Sequence, residues 1–157
     1  MALVVETGAG LAGAESYLSP AGAAEYFTAW RPDKLTPWLN LSEEEKEALL
    51  RRATLFVDSN FNFRGGKSSP HQALAWPRDQ LGIPGAIKKA TAELVIAIMV
   101  GLDPLPEVRR NSLNENLSLG NVSCSISYAP GGGMVFPLVE AILRPLLVKG
   151  PKYLKRA

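Results

Sequence analysis

The chain has 157 residues, of which 46% are hydrophobic and 20% charged, the size and balance of one folded domain. Its formal net charge of +2 is too weak a field to argue by itself for duplex nucleic acid. A single cysteine excludes an internal disulfide framework, and a single histidine excludes a zinc site built on several His or Cys ligands.

Residues 2–6, ALVVE, are a short β-branched run closed by Thr7-Gly8-Ala9-Gly10, which predicts an edge strand or extended arm over 1–18. No basic segment leads into a long apolar one, so no signal peptide is expected and the protein is expected in the cytoplasm when made. Ser19-Pro20 opens a helix, with Ser as cap and Pro at the first helical position. Ala23, Tyr26, Phe27 and Trp30 recur at i, i+3, i+4 and i+7 and predict its core face. Arg31-Pro32 ends it, because a residue before proline is pushed out of the α region.

Ser42-Glu43-Glu44-Glu45 has the pattern of a capping box, with three carboxylates at the positive end of a helix dipole. Leu49, Ala53, Phe56 and Val57 are its expected inner face and Lys46, Arg51 and Arg52 its outer one, with an end near Ser59-Asn60. A polar loop follows, from Arg64 to Pro70. Pro84 opens a third helix to about Val100, with Ile87, Ala90, Leu94 and Ile98 inward. Beyond Glu93 it is apolar all round, so it should be surrounded by protein. The longest apolar run, Leu94 to Val100, is far short of a membrane span of roughly 20 residues.

In LSLGNVSCSISY, residues 117–128, Val122, Cys124, Ile126 and Tyr128 alternate with serines, the period of a half-buried strand. The phase shift across Gly120-Asn121 predicts a two-residue hairpin with Leu119 opposite Val122 and Leu117 opposite Cys124. Pro137 opens a last short helix, with Leu138, Val139, Ile142 and Leu143 inward, interrupted at Pro145. The fold class is therefore mainly α: a four-helix domain over 19–148 with a small β-hairpin, an extended N-terminal arm, and a basic tail over 149–157. A lone hairpin is marginal in water. It needs a helix beneath it, the N-terminal strand beside it, or a neighbouring subunit's edge.

Two short patterns fail on context. Gly8-Ala9-Gly10-Leu11-Ala12-Gly13 matches G-x-G-x-x-G, but Ser19-Pro20 restarts the chain before any second parallel strand, so a flexible small-residue turn is expected. Gly66-Lys67-Ser68 lacks the glycine of a phosphate loop, since Phe61 stands there. His71 lies in a polar loop, Cys124 on an inward strand face, and Glu43 to Glu45 are explained by capping. No acid, base and nucleophile come together, so no enzyme activity, cofactor or metal is expected.

Trp76-Pro77-Arg78 stands in polar surroundings just before the apolar third helix. The indole is expected as a core anchor with its N–H bonded to a carbonyl, or as part of a subunit contact. Arg78 is expected as a surface charge or a bidentate partner for another chain's carboxylate.

VVETGAGLAGAESYLS (4–19), AAEYF (23–27), EEKEALLRRATLFVDS (44–59), QALAWPR (72–78), GIPGAIKKATAEL (82–94) and FPLVEAILRPLL (136–147) together resemble a tailed-bacteriophage family of head-tail connector adaptor proteins, often labelled DnaT-like single-stranded-DNA-binding. The resemblance implies a structural virion protein at the head-tail interface. It would form a homo-oligomeric ring of the portal's twelvefold symmetry, bind the portal protein and a downstream connector or tail component, and let genomic double-stranded DNA pass through its lumen. On that reading Trp76, Pro77, Arg78, Leu117, Leu119, Val122, Ile126 and Tyr128 belong to subunit or partner contacts. Lys149, Lys152, Tyr153, Lys155 and Arg156 make a tail that orders on the portal. The alternative is a single-stranded-DNA-binding replication accessory protein. It is set aside because Tyr26, Phe27, Trp30 and Phe56 fall on helical core faces, whereas strand binding wants aromatic platforms beside a basic groove.

Overall fold

The structure, a computed structural model, describes residues 2–102, 104, 114–119, 122–128 and 134–148, with the side chains of 114–119, 122–128 and 134 outside the description. Among these residues the chain is mainly helical, with five α-helices and little strand: α1 (Pro20–Trp30), α2 (Pro32–Leu39), α3 (Glu43–Asn60), α4 (Gly85–Met99), β1 (Asn114–Leu119), β2 (Val122–Tyr128), β3 (Met134–Val135) and α5 (Pro137–Leu143), followed by a 3₁₀ turn over Arg144–Leu146.

Local chemistry explains the helix starts. Ser19 caps α1 by accepting from the Gly22 amide at 3.0 Å. Ser42 and Glu45 close a reciprocal capping box on α3, the side-chain oxygen of each accepting the other's backbone amide. Pro84 precedes α4, which has no side-chain cap and no acidic residue in its first turn.

The helix missing from the sequence reading is α2. Pro32 fits its first turn, where the absent N–H costs nothing. Trp38 at its far end is 1% exposed, meets Phe27 edge-on with ring centroids 5.5 Å apart, and donates its indole N–H to the Pro20 carbonyl at 3.3 Å. Burying a side chain of this size contributes upwards of about 2 kcal/mol, ample for so short a helix.

The core lies where α3 and α4 pack together, with α5 also against α4. Leu50, Ala53 and Val57 from α3, Ile87, Ala90 and Leu94 from α4, Phe27 from α1, and Val139 and Leu143 from α5 are all buried. Leu49 and Ile98, expected inward, are only half-buried, and Leu138 is exposed. Lys46, expected outside, is buried with its ammonium 2.7 Å from Glu43 Oε1, so its alkyl stem covers apolar surface. Beyond Glu93, Leu94, Val95, Ile96 and Ala97 are all buried, as an all-round apolar segment requires.

The N-terminal segment is not a free arm. Val5 bridges Ser16 in parallel, the Glu15 amide donates to the Val4 carbonyl, and the Leu3 amide donates to Glu47 of α3. Ala14, Tyr17 and Leu18 are buried. The strands form a three-stranded antiparallel sheet in the order β1-β2-β3, with Leu119 facing Val122, Leu117 facing Cys124, and Tyr128 facing Met134. β3 pairs with β2 only at Ser127 and Tyr128, the end of its second edge.

Candidate functional site

The connection from Phe61 to Pro84 contains no helix and is held by side-chain hydrogen bonds to its backbone. Gln72, 4% exposed, accepts from the Ser69 amide and donates to the carbonyls of Leu74 and Pro77, each at 2.9 Å. Asp58 accepts from the Tyr17 hydroxyl at 2.5 Å and from the Ala75 amide at 2.8 Å, and the Tyr17 oxygen in turn accepts from the Trp76 amide at 3.1 Å. Asp79 accepts from the Gly66 amide at 2.8 Å. Burial pushes the Asp58 carboxyl above the usual carboxylate range, against the lowering effect of those two bonds. Burial first, and then the neighbouring Asp58 charge, raises Tyr17 far above an ordinary phenol.

This network answers for Trp76. The indole is 4% exposed, lies edge-on to Phe63 at 5.8 Å, and follows Phe56, Phe61 and Phe63 in a run of packed rings. Its peptide bond to Pro77 is cis, and Pro77 is also buried. The expected indole hydrogen bond is absent: among the described residues Trp76 Nε1 is the one buried side-chain nitrogen or oxygen without a partner. Arg78 spends its donors on the carbonyls of Arg64, Gly65 and Ala75. Trp76 and Pro77 therefore lie in the interior of the chain, and Arg78 pins the loop through backbone carbonyls.

The glycine pattern near the start also has a definite job. Gly8 and Gly10 take positive φ angles of 102° and 75°, turning successive amides inward. Gly8, Gly10 and Leu11 N–H groups donate to the carboxylate of Glu6 at 2.9, 3.0 and 2.8 Å, and Glu6 is 2% exposed. The loop is an anion nest, but its anion is the chain's own carboxylate. It is a lock, where the sequence suggested a flexible turn.

The remaining sequence candidates do not gather into a site. Leu117, Leu119, Val122, Ile126 and Tyr128 lie on β1 and β2 as backbone positions, and their side chains are outside the described residues. The basic tail Lys149, Lys152, Tyr153, Lys155 and Arg156 also lies outside them. Among the described residues no cluster of His, Cys, Asp or Glu is placed to hold a metal ion, and no helix is long and apolar enough to cross a membrane.

What the structure does assemble is an open groove of about 720 Å³ between the N-terminal segment, α1 and the start of α4. Glu6 and Thr7 form one end, Glu25, Tyr26, Ala29 and Trp30 one wall, and Gly85, Lys88 and Lys89 the other. Trp30, expected in the core, is 61% exposed. It stacks on Tyr26 with centroids 6.5 Å apart and planes 24° off parallel, and the Lys89 ammonium lies 4.7 Å from its ring centroid.

The stack is braced from below by Glu93, whose carboxylate accepts from the Tyr26 hydroxyl at 2.8 Å and from Arg31 Nη1 at 2.9 Å. Burial first, and then the bond to Glu93, raises the Tyr26 phenol, which keeps it a neutral donor. Arg31 is taken up by Glu93 and Asp33, so Lys88 and Lys89 are the cations the groove offers.

Lys88 and Lys89, the fourth and fifth residues of α4, stand adjacent and exposed at the groove. An exposed ring, a second ring beneath it and two adjacent ammonium groups make a surface suited to a planar base and its phosphate. The sequence signals were Lys88-Lys89 just after a helix-opening proline, and a tryptophan at the last position before Arg-Pro.

The family described as "Putative DnaT-like ssDNA binding protein" matches residues 1–157, and the chain belongs to it. No curated protein and no solved structure matches. The match overturns the expectation of a head-tail connector adaptor, since the description names single-stranded DNA. The physical ground for setting strand binding aside holds for Phe27 and Phe56, which are buried, and fails for Trp30.

Proposed function

We propose that this protein binds single-stranded DNA as a replication accessory protein, making and breaking no bond, and that the strand lies in the groove between α1 and α4. The observation that supports this most directly is Trp30, a large ring left 61% exposed on α1, stacked on Tyr26 and with the Lys89 ammonium over it at 4.7 Å. Stacking a base on such a ring is worth about 1–3 kcal/mol. Duplex DNA keeps its bases stacked on one another and presents no free face to Trp30, so the groove favours unpaired strands. Lys88 and Lys89 neutralise phosphates, which makes binding weaken with salt.

The test is fluorescence anisotropy of a labelled single strand, read beside tryptophan emission. Trp38 and Trp76 are 1% and 4% exposed, so quenching by added strand reports Trp30. Trp30→Ala should raise Kd about 5- to 150-fold and abolish the quench. If Trp30→Ala folds normally and binds as the parent does, the groove is not where the strand lies.

A further inference from the structure

The groove contains a charge that a simple phosphate binder should avoid. Glu25 lines the wall beside Tyr26 and Trp30, is exposed, and makes no hydrogen bond or ion pair with the described residues. The other carboxylates nearby are spent: Glu6 on three backbone amides, Glu93 on Tyr26 and Arg31. A free carboxylate raises the cost of bringing a phosphate into the same cleft. It accepts hydrogen bonds and donates none, so its favourable use there is toward a donor on the ligand.

The walls are thus divided. Lys88 and Lys89 on α4 suit the phosphate, Trp30 suits the face of the base, and Glu25 on α1 suits its edge. We infer that Glu25 makes this groove selective for bases that carry an exocyclic amino group, cytosine, adenine and guanine, over thymine. Cytosine offers an N4 amino donor at the edge where thymine offers a carbonyl oxygen, and a carboxylate accepts from the first and repels the second. This inference rests on the strand-binding reading of the same groove and adds to it a preference among bases.

The experiment uses the full chain and short labelled strands in which one dC or one dT is set among abasic positions. The two pyrimidines then differ chiefly in their hydrogen-bonding edge, and self-stacking of the strand is removed. Binding to dC should be tighter by at least about 5-fold, the low end of what one good edge contact discriminates. Glu25→Gln, at an exposed position, should bring the two within about twofold of each other, since an amide both donates and accepts. Equal binding of dC and dT by the parent, with loss of both in Trp30→Ala, overturns the base preference and leaves strand binding intact. A Glu25→Gln protein that binds both strands more tightly by the same factor also overturns it, because the carboxylate then only repels phosphate. Failure to bind these strands and longer unmodified ones alike overturns the strand-binding reading, and this inference with it.

Discussion

Replacing Asp58 by Asn tests the network that holds the long connection to the helices. The carboxylate accepts two hydrogen bonds, from Tyr17 Oη and from the Ala75 amide. An amide has the same shape but one accepting atom, so one of those donors must face an N–H. Leaving a buried donor unmade costs about 1–3 kcal/mol. In a domain of this length 2 kcal/mol lowers Tm by about 4–8 °C.

The pH dependence follows from burial. The folded-state pKa of Asp58 lies above its ordinary carboxylate value, so the folded protein holds this proton more tightly than the unfolded chain. The resulting stability is fully present below the unfolded pKa, about 4, and is lost as pH rises through the raised folded value. Asn cannot titrate, so the deficit of Asp58→Asn should be largest in mild acid and narrow toward neutrality. Urea melts of both proteins at several pH values between 4 and 7 read the difference directly, because the other carboxylates are common to both. A deficit that grows with pH would mean that the two hydrogen bonds outweigh desolvation, and would refute this account of Asp58.

Gly65→Ala should be severe: Gly65 has φ of 78° and an added Cβ would stand 1.8 Å from Asp79 Oδ2, so about 1–3 kcal/mol should be lost in a denaturant melt. Gly13→Ala, with nothing within 4 Å of the new atom, is the control and should be neutral or stabilising by up to about 1 kcal/mol. Lys88→Ala and Lys89→Ala should each flatten the slope of log K against log salt for single-strand binding by about 0.7, measured by anisotropy across a salt series. Absorbance at 295 nm during alkaline titration should show Tyr17 and Tyr26 still neutral at pH 10, where a free phenol is half ionised, since both are raised. Their contribution to stability is present below about pH 10 and is lost above it, so the protein should unfold as these two groups finally ionise.

The parts of this fold that a single sequence reveals are those fixed by neighbours in the chain. Ser19 and Ser42 mark their helices because a cap needs only the next three residues, and the start of α4 is legible because Pro84 cannot lie inside it. The role of Trp76 was half legible: an indole beside proline reads as an anchor, but that its amide would seek Tyr17 requires knowing that two distant segments meet. The Glu6 nest was hidden for a different reason. A glycine pattern that binds anions looks the same whether the anion comes from solvent or from a side chain two residues earlier.

The groove was illegible because of α2. With prolines at 32 and 37, residues 32–39 do not read as a helix, although Leu35, Trp38 and Leu39 keep the i, i+3, i+4 spacing of one, so a reading of the sequence assigns Trp38 no place in the core. Once α2 turns back, Trp38 packs edge-on against Phe27 in the core. Trp30 is then left on the outer side of the last turn of α1, where Tyr26 and Lys89 are its neighbours. Exposure of that ring is therefore a consequence of core packing and needs no loop to open it. Glu93 ties Tyr26 and Arg31 to α4, so the base of the stacked rings is held before any ligand arrives. A preorganised platform spends little ordering entropy on binding. Truncating Trp38 should for the same reason damage strand binding at a distance, since it removes the ring and the indole hydrogen bond that seat α1 on α2.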